Sequence, residues 1–295
     1  MVNKINLINK KIIKYLIIIT ITIIILSLIV FINKSTVKYF QYNTINLYNN
    51  NHLGDSLYTM IYFYNIKDYI IKNNITIHFY INSKYIKEVN EFIPCNNIKI
   101  YDILLRPYNS IDTWIDSLEE LDYYTLLILG KMPYNNFLTS FFSKFGSKIN
   151  LPGLKELKYE DTELLSRYEK LDNKYKNIDI LILNSFPKSN QYEYDKNKWD
   201  IFINKLNKKY NIVVSEYVKN ILCTRDNNLL IKDIAALSTH VKYVIAINSG
   251  PLASLFNTYT YNSVNRWYIF DKYCYFSLNN FINAKGLDEI ERDLL

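Results

Sequence analysis

The sequence predicts an α/β fold with two halves of similar size, each built from parallel βαβ units, behind an N-terminal transmembrane helix. Three observations predict it. Apolar strand-like runs alternate with amphipathic helix-like segments, this pattern restarts after a turn-rich break at 150–154, and an uncharged apolar stretch fills 15–32. Strands that alternate with helices of this length favour parallel sheets covered on both faces. A chain of 295 residues is long enough for two such domains.

Residues 15–32 (YLIIITITIIILSLIVFI) are predicted to form a transmembrane signal-anchor. The stretch has eighteen residues without a charge, close to the roughly 20 that cross a bilayer as a helix. A cleaved signal peptide, one alternative, usually has a shorter apolar run and a small-residue cleavage site, whereas 33–35 here reads Asn-Lys-Ser. A buried soluble helix is the other alternative.

The lysines around this stretch predict its orientation. Four lysines precede it and two follow closely, and positive charge favours the cytoplasmic side. We therefore expect a cytoplasmic tail at 1–14, a lipid bilayer contact at 15–32 and a globular body that is lumenal or extracytoplasmic.

The charge distribution argues against a nucleic-acid partner. Six of the 35 basic residues lie in 1–38, which contains no acid, so 29 basic residues remain against 28 acidic ones in the body. A nucleic-acid-binding body normally has a basic surplus. The three histidines are far apart and have no metal-ligand spacing, so no metal site is predicted. The abundance of Ile, Asn, Lys and Tyr is interpreted as a coding bias.

The first predicted half, 39–155, contains four strands and two helices. The predicted strands are 44–48, 75–81, 97–101 and 124–129, and the predicted helices are 55–73 and 83–93. A polar helix at 161–174 is predicted as a connector. In the second half, 175–295, the predicted strands are 178–185, 211–216, 242–247 and 264–270, and the predicted helices are 195–209, 229–240 and 279–292.

Two loops follow predicted strands at equivalent places in the two halves. Gly54 and Asp55 come after the first strand, and Asn248-Ser249-Gly250-Pro251 comes after the strand at 242–247. Ligands of such sheets bind outside the carboxyl ends of the strands, where a helix N-terminus favours an anion. Each loop taken alone is better explained by a structural role, because Asp and Ser are favoured helix caps.

Three segments resemble the heptosyltransferase-type glycosyltransferases (glycosyltransferase family 9). They are HLGDSLYTM at 52–60, KNKWDIFINKL at 196–206 and LLIKDIAALSTHVKYVIAINSGPLASLF at 229–256. The resemblance implies a GT-B-like fold, in which two Rossmann-like domains face a cleft. It also implies transfer of a sugar from a nucleotide-sugar donor to an acceptor hydroxyl, with 39–155 on the acceptor side and 175–295 binding the donor.

The resemblance assigns roles to single residues. It implies that Asp55 is the general base for the acceptor hydroxyl, and the same cleft loop contains His52, Gly54 and Ser56. The residues implied at the donor phosphates are Asn248, Ser249, Gly250, Pro251 and, by position, Lys188, for which Lys196 or Lys198 could substitute. No cofactor is expected beyond the nucleotide-sugar. No Asp-x-Asp motif occurs, which is compatible with metal-independent transfer.

Two positions depart from the family pattern. Asn248 stands where the family has an acid, and Ala253 stands where it has a histidine. These departures favour a second interpretation, a non-catalytic protein that binds a carbohydrate or nucleotide on the same scaffold. A structural or envelope-associated membrane protein is a third. The sugar, the acceptor and the stereochemical outcome are not specified by the sequence.

Overall fold

The structure is a computed structural model that describes residues 44–114, 118–187 and 190–295, without the side chains of 118–121. Residues 44–295 form one compact unit. The predicted tail and signal-anchor lie outside the described residues. Within the described ranges, no helix combines the length and the apolar character that crossing a bilayer requires.

The first half contains a four-stranded parallel sheet in the order β3-β2-β1-β4. Its strands are β1 Thr44–Asn49, β2 Thr76–Ile81, β3 Ile98–Asp102 and β4 Ile111–Asp112. The predicted helices after β1 and β2 are present as α1 Leu53–Lys72 and α2 Ser83–Asn90. Helix α1 is buried along most of its length, because it lies between the sheet and an aromatic cluster in which Tyr62 stacks on Phe142 at 5.2 Å.

The prediction of a strand at 124–129 is wrong. Most of this stretch belongs to helix α3, Leu118–Ile128, and a second helix, α4 Tyr134–Lys148, follows it. A short apolar run cannot be assigned to strand or helix from periodicity alone. Here Leu127 is buried while Ile128 and Leu129 are exposed, so only one face of the segment contributes to the core.

The second half contains a six-stranded parallel sheet in the order β10-β9-β8-β5-β6-β7. Its strands are β5 Ile180–Leu183, β6 Ile212–Val214, β7 Leu222–Cys223, β8 Tyr243–Ile247, β9 Arg266–Phe270 and β10 Phe281–Asn283. All four residues of β5 are buried, as expected for a central strand covered on both faces. The four strands predicted in this half are therefore confirmed.

Helices cover both faces of this sheet. They are α5 Glu163–Lys170, α6 Lys196–Leu206, α7 Ile231–Ser238, α8 Gly250–Ala253, α9 Thr258–Ser263 and α10 Leu287–Leu294. The predicted helix at 279–292 is partly wrong, because its first residues form β10 beside β9. Gly286 precedes α10 in an extended conformation and separates the strand from the helix.

Charged residues connect the predicted linker to both halves. Arg167 on α5 contacts Glu91, just after α2, at 2.7 Å and Asp233 on α7 at 2.6 Å. Lys232, which is 3% exposed, contacts Asp161 at 3.0 Å. The polar sequence of the linker is thus explained by ion pairs that are buried or half-buried.

Six asparagines adopt the left-handed backbone conformation, with φ between 50° and 64°. They are Asn74, Asn150, Asn177, Asn190, Asn220 and Asn228. Asparagine tolerates this conformation better than other residues with a side chain. These asparagines have a conformational role at turns, which the interpretation as coding bias did not anticipate.

Candidate active site

The two loops singled out in the sequence meet in space. The β1–α1 loop and the β8–α8 loop both leave the carboxyl ends of parallel strands, and Gly54 packs against Gly250. A Cβ built on Gly54 would lie 3.2 Å from the Cα of Gly250, and one built on Gly250 would lie 3.2 Å from the nitrogen of Gly54. Glycine, which has no Cβ, allows the two backbones to approach this closely without strain.

A cavity of about 750 Å³ opens beside this contact and is lined by both halves of the chain. A volume of this size suits a ligand larger than a monosaccharide. From the predicted site it contains His52, Gly54, Asp55, Asn248, Ser249, Gly250, Pro251 and Lys196. The sequence prediction of a shared cleft between these loops therefore agrees with the geometry.

Asp55 is the third residue of α1, and His52 is the N-cap. This corrects the alternative in which Asp55 is itself the N-cap. The carboxylate nevertheless serves the helix end, because Oδ2 accepts a hydrogen bond from the backbone N–H of His52 at 2.8 Å. Burial raises the pKa of Asp55 above its ordinary value, and the hydrogen bond from His52 opposes the shift. A carboxylate with a raised pKa in a cavity is a candidate for acid–base chemistry.

Asn248 is held by an acid on the neighbouring strand. Its Nδ2 donates a hydrogen bond to Oδ2 of Asp271 at 2.6 Å. Ile247 and Phe270, the last residues of β8 and β9, are register partners, so the residues that follow them leave the sheet side by side. Asp271 was not identified from the sequence, because its position beside Asn248 depends on strand pairing.

Ser249 does not cap its helix, and its Oγ is buried without a hydrogen-bond partner. Helix α8 has only four residues. The expectation that a helix dipole makes this loop an anion site is therefore weakened, since a single turn has little macrodipole. What the loop offers instead is the free hydroxyl of Ser249.

The remaining predicted residues have different placements. Ser56 is buried on α1 and is not part of the cavity lining. Lys188 lies outside the described residues. Lys196 lines the cavity, but its Nζ already contacts Asp200 at 2.7 Å. Lys198 is not in the lining, and its Nζ is 3.8 Å from Asp195.

Several cavity residues follow β5 and β6 and were missed in the sequence. Glu216 accepts hydrogen bonds from Arg225 at 2.5 Å and from Ser185 at 3.4 Å. The buried Asn184 fixes this turn, since its Oδ1 accepts the backbone N–H of Glu216 at 2.9 Å. The exposed aromatic residues in the lining are Phe186 and Tyr217, with Tyr194 beside Phe186. Their place after predicted strands was the available signal.

Tyr58 lies one helical turn after Asp55 and also lines the cavity. The residue is 3% exposed, and its hydroxyl has no hydrogen-bond partner. Burial, and then the nearby charge of Asp55, raises the pKa of Tyr58 far above its ordinary value, so the phenol keeps its proton. A buried polar group without a partner costs about 1–3 kcal/mol, and two of the four such side-chain atoms in the described ranges, on Tyr58 and Ser249, line this cavity.

The described part of the chain contains no cluster of three or more His, Cys, Asp or Glu side chains that could hold a metal ion.

Comparisons with known proteins give a likeness in structure alone. No protein-family profile and no curated protein sequence matches the chain. The E. coli heptosyltransferase WaaC with ADP-2-deoxy-2-fluoro heptose matches with a TM-score of 0.54 at 7% identity, over 85% of this chain and 98% of that one. The same enzyme with ADP matches with a TM-score of 0.50 at 8% identity, over 85% and 96% of the two chains.

A family 9 glycosyl transferase from Veillonella parvula DSM 2008 also matches, with a TM-score of 0.42 at 10% identity, over 84% of this chain and 88% of that one. At identities this low, the likeness to these proteins shows the fold alone. The two matches to WaaC cover nearly all of that enzyme. The chain therefore has the α/β, GT-B-like fold of a heptosyltransferase, as the resemblance implied.

Proposed function

We propose that the protein is a glycosyltransferase that moves a sugar from a nucleotide-sugar to an acceptor hydroxyl, with Asp55 as general base. One observation carries the proposal: Asp55 and the loop Asn248–Pro251, far apart in sequence, line the same cavity and meet through Gly54 and Gly250.

Asp55 suits the acceptor side. A general base has to accept a proton at the working pH, and a pKa raised by burial makes a carboxylate a stronger base than it is in water. Its hydrogen bond from His52 fixes the side chain at the first turn of α1. The acceptor hydroxyl would therefore meet a carboxylate of fixed position.

Glu216 and the aromatic residues near it suit a nucleoside. In dinucleotide-binding α/β folds, an acid after the second strand accepts hydrogen bonds from ribose hydroxyls, and Glu216 follows β6, the second strand of its half. Phe186 and Tyr217, both exposed at the cavity, offer flat apolar faces on which a base can stack. These groups support the donor domain at 175–295.

The donor phosphates need positive or hydrogen-bonding groups. Two cations in the described lining, Lys196 and Arg225, are each paired with a carboxylate. We assign the phosphates to the Ser249 hydroxyl and, from the sequence, to Lys188. With these groups meeting the leaving-group charge, the proposed reaction has no step that requires a metal.

The location of the protein is part of the proposal. An uncharged stretch at 15–32 with lysines on its N-terminal side would hold the body at a membrane. Extraction of the full chain from membranes by detergent but not by alkaline carbonate would support it. Release by carbonate would overturn it.

The decisive experiment measures donor binding and transfer separately on the full chain. Binding is measured by thermal shift with ADP-, UDP-, GDP- and CMP-sugars, because a ligand that binds the folded state raises the melting temperature. Transfer is measured by release of the nucleoside diphosphate. Asp55→Asn is the test variant, since the amide oxygen can still accept the hydrogen bond from His52 while the base is lost.

Asp55→Asn should abolish transfer and keep donor binding. Asp195→Asn is the matched control, because Asp195 caps α6 through the N–H of Lys198 and lies outside this cavity. Retained transfer in Asp55→Asn overturns the mechanism. Binding without transfer in the wild type favours the non-catalytic alternative. The replacement of the family's acid by Asn248 is the observation that supports this alternative. No thermal shift with any nucleotide-sugar favours the structural protein.

A further inference from the structure

The contact between Asn248 and Asp271 determines which end of the Asn248 amide is available to a ligand. The two residues follow β8 and β9, whose last residues are register partners. The atoms in contact, Nδ2 of Asn248 and Oδ2 of Asp271, are 2.6 Å apart. The opposite orientation of the amide would place its oxygen against the carboxylate, and two acceptors at this distance repel each other.

Asp271 is itself fixed. Its Oδ1 accepts the backbone N–H groups of Tyr273 at 2.7 Å and of Cys274 at 2.9 Å. The carboxylate therefore cannot rotate away from Asn248 without losing both hydrogen bonds. Asp271 is not part of the cavity lining, so it acts on a ligand only through Asn248.

The carbonyl oxygen of the amide has no hydrogen-bond partner among the described residues. Asn248 is 4% exposed and lines the cavity, yet its Oδ1 accepts no hydrogen bond from any described residue. The oxygen is not one of the buried side-chain atoms without a partner, so it keeps surface that a ligand in the cavity can reach. Because a phosphate oxygen is also an acceptor, and because the carboxylate of Asp271 lies behind the amide, Oδ1 suits a hydroxyl and not a phosphate.

The order of the strands indicates which hydroxyl this is. Asn248 follows β8 and Glu216 follows β6, with β5 between them. At about 4.8 Å per strand, the two positions are roughly 10 Å apart along the sheet edge. If the ribose lies at Glu216, the diphosphate spans this distance. The transferred sugar, which is attached to the far end of the diphosphate, then lies next to Asn248 in the cavity that Asp55 lines.

We propose that Oδ1 of Asn248 accepts a hydrogen bond from a hydroxyl of the transferred sugar, and that Asp271 is the positioning residue that orients this oxygen. The inference rests on the proposed function and moves Asn248 from the donor phosphates to the donor sugar. It also assigns a role to the asparagine that stands where the resembling family has an acid. The acid is retained, on the neighbouring strand.

The test compares nucleotide-sugars with the corresponding nucleoside diphosphates on the full chain. Affinities are measured by calorimetry for ADP and ADP-glucose, UDP and UDP-glucose, and GDP and GDP-mannose, and the pair that binds the wild type best is used. The variants are Asp271→Asn, Asn248→Asp and the double exchange of both. Loss of one hydrogen bond between neutral groups should weaken binding by about 3- to 10-fold.

We expect Asp271→Asn to weaken the nucleotide-sugar by that factor because the amide of Asn248 is no longer held in one orientation, and Asn248→Asp to weaken it because two carboxylates at this distance repel each other and displace the acceptor. Both single variants should leave the affinity for the diphosphate within about 2-fold of wild type, because neither group touches it. The double exchange rebuilds a carboxylate–amide pair and should restore the nucleotide-sugar. Asp179→Asn, at the opposite end of β5, is the control, because its partners are Lys242 and the backbone of Asn211. It should change neither affinity.

Three results would overturn the inference: equal weakening of both ligands, no weakening of either, or a double exchange that is no better than the single variants. Melting temperatures distinguish these from unfolding, since Asn248→Asp alone brings two carboxylates together and should melt lower than the double exchange. If no nucleotide binds the wild type, the proposed function itself is wrong, and this result is distinct from the three above.

Discussion

Gly54 and Gly250 touch backbone to backbone, and this contact brings the proposed base to the proposed donor loop. Gly250, the first residue of α8, and the first turn of α1 would have to move apart by a few tenths of an ångström to admit a side chain at either position, because each added Cβ would lie 3.2 Å from a backbone atom. A backbone atom cannot move aside as the end of a side chain can. The geometry of the cavity therefore depends on both glycines.

Gly250→Ser should destabilise the fold and weaken nucleotide binding. Forcing atoms into a packed contact costs about 1–3 kcal/mol, which a thermal melt detects. The matched control is Gly286→Ser, because nothing lies within 4 Å of a Cβ at Gly286 and serine is a favoured N-cap for α10. Equal melting temperatures for the two variants would contradict the close contact.

Transfer should be lost on the acid side at a pH above the ordinary pKa of aspartate. Burial raises the pKa of Asp55 above 3.8, and a base is active only when it is deprotonated, so the rate falls as the pH falls through the raised pKa. The sign for stability is opposite. Ionised Asp55 opposes folding, and this penalty disappears as the pH falls through the same pKa.

The pH profile of kcat/KM for the wild type, and the melting temperatures of wild type and Asp55→Asn over the same range, provide the measurement. The stability difference between the two proteins should shrink as the solution is acidified. An acidic limb at or below 3.8 would contradict the burial of the carboxylate.

Tyr58→Phe and Tyr62→Phe should differ in stability although both remove one buried hydroxyl from α1. The Tyr62 hydroxyl donates a hydrogen bond to the carbonyl of Pro152 at 2.8 Å, whereas the Tyr58 hydroxyl has no partner. Losing a made hydrogen bond costs about 1 kcal/mol, and losing an unmade one does not. Chemical denaturation should show a loss for Tyr62→Phe only, and an equal loss for both would mean that the Tyr58 hydroxyl is bonded.

Lys232→Met should strongly destabilise the linker region. The ammonium group is buried between Asp161 and Glu163, and removing it leaves Asp161 without its cation. Breaking a buried pair in this way costs about 3–5 kcal/mol. The comparison variant is Lys242→Met, whose surface partner is Asp179. A loss no larger than in that exposed pair would contradict the burial of Lys232.

The sequence predicted the elements whose pattern is local. The buried strands β5 and β8 read as continuous apolar runs, and the helix after β1 begins at Leu53, two residues before its predicted start at Asp55. The errors lie where an apolar run is short. The run at 124–129 is helical, with Leu127 buried and Ile128 and Leu129 exposed, and 281–283 is a strand because β9 offers it a free edge.

The site was also predicted only in part, because only its local motifs can be recognised in the sequence. Asp55 and Asn248 to Pro251 could be found from motifs at strand ends. Glu216 and Asp271 could not, because their roles depend on which strands are neighbours in the sheet, and strand order is not a local property of the chain. The orphaned hydroxyl of Tyr58 likewise depends on what surrounds it after folding.

The left-handed asparagines bear on how a glycine-poor chain can have this fold. Of the six glycines in the chain, all within the described ranges, only Gly130 has a positive φ. Asparagine has this conformation at six positions, whereas an added Cβ at Gly54, Gly146, Gly153 or Gly250 would lie 3.2 Å or less from a neighbouring atom. Asparagine therefore supplies most of the left-handed backbone conformations, and glycine is found where two segments pass closely, as at the contact between the helix of Asp55 and the donor loop.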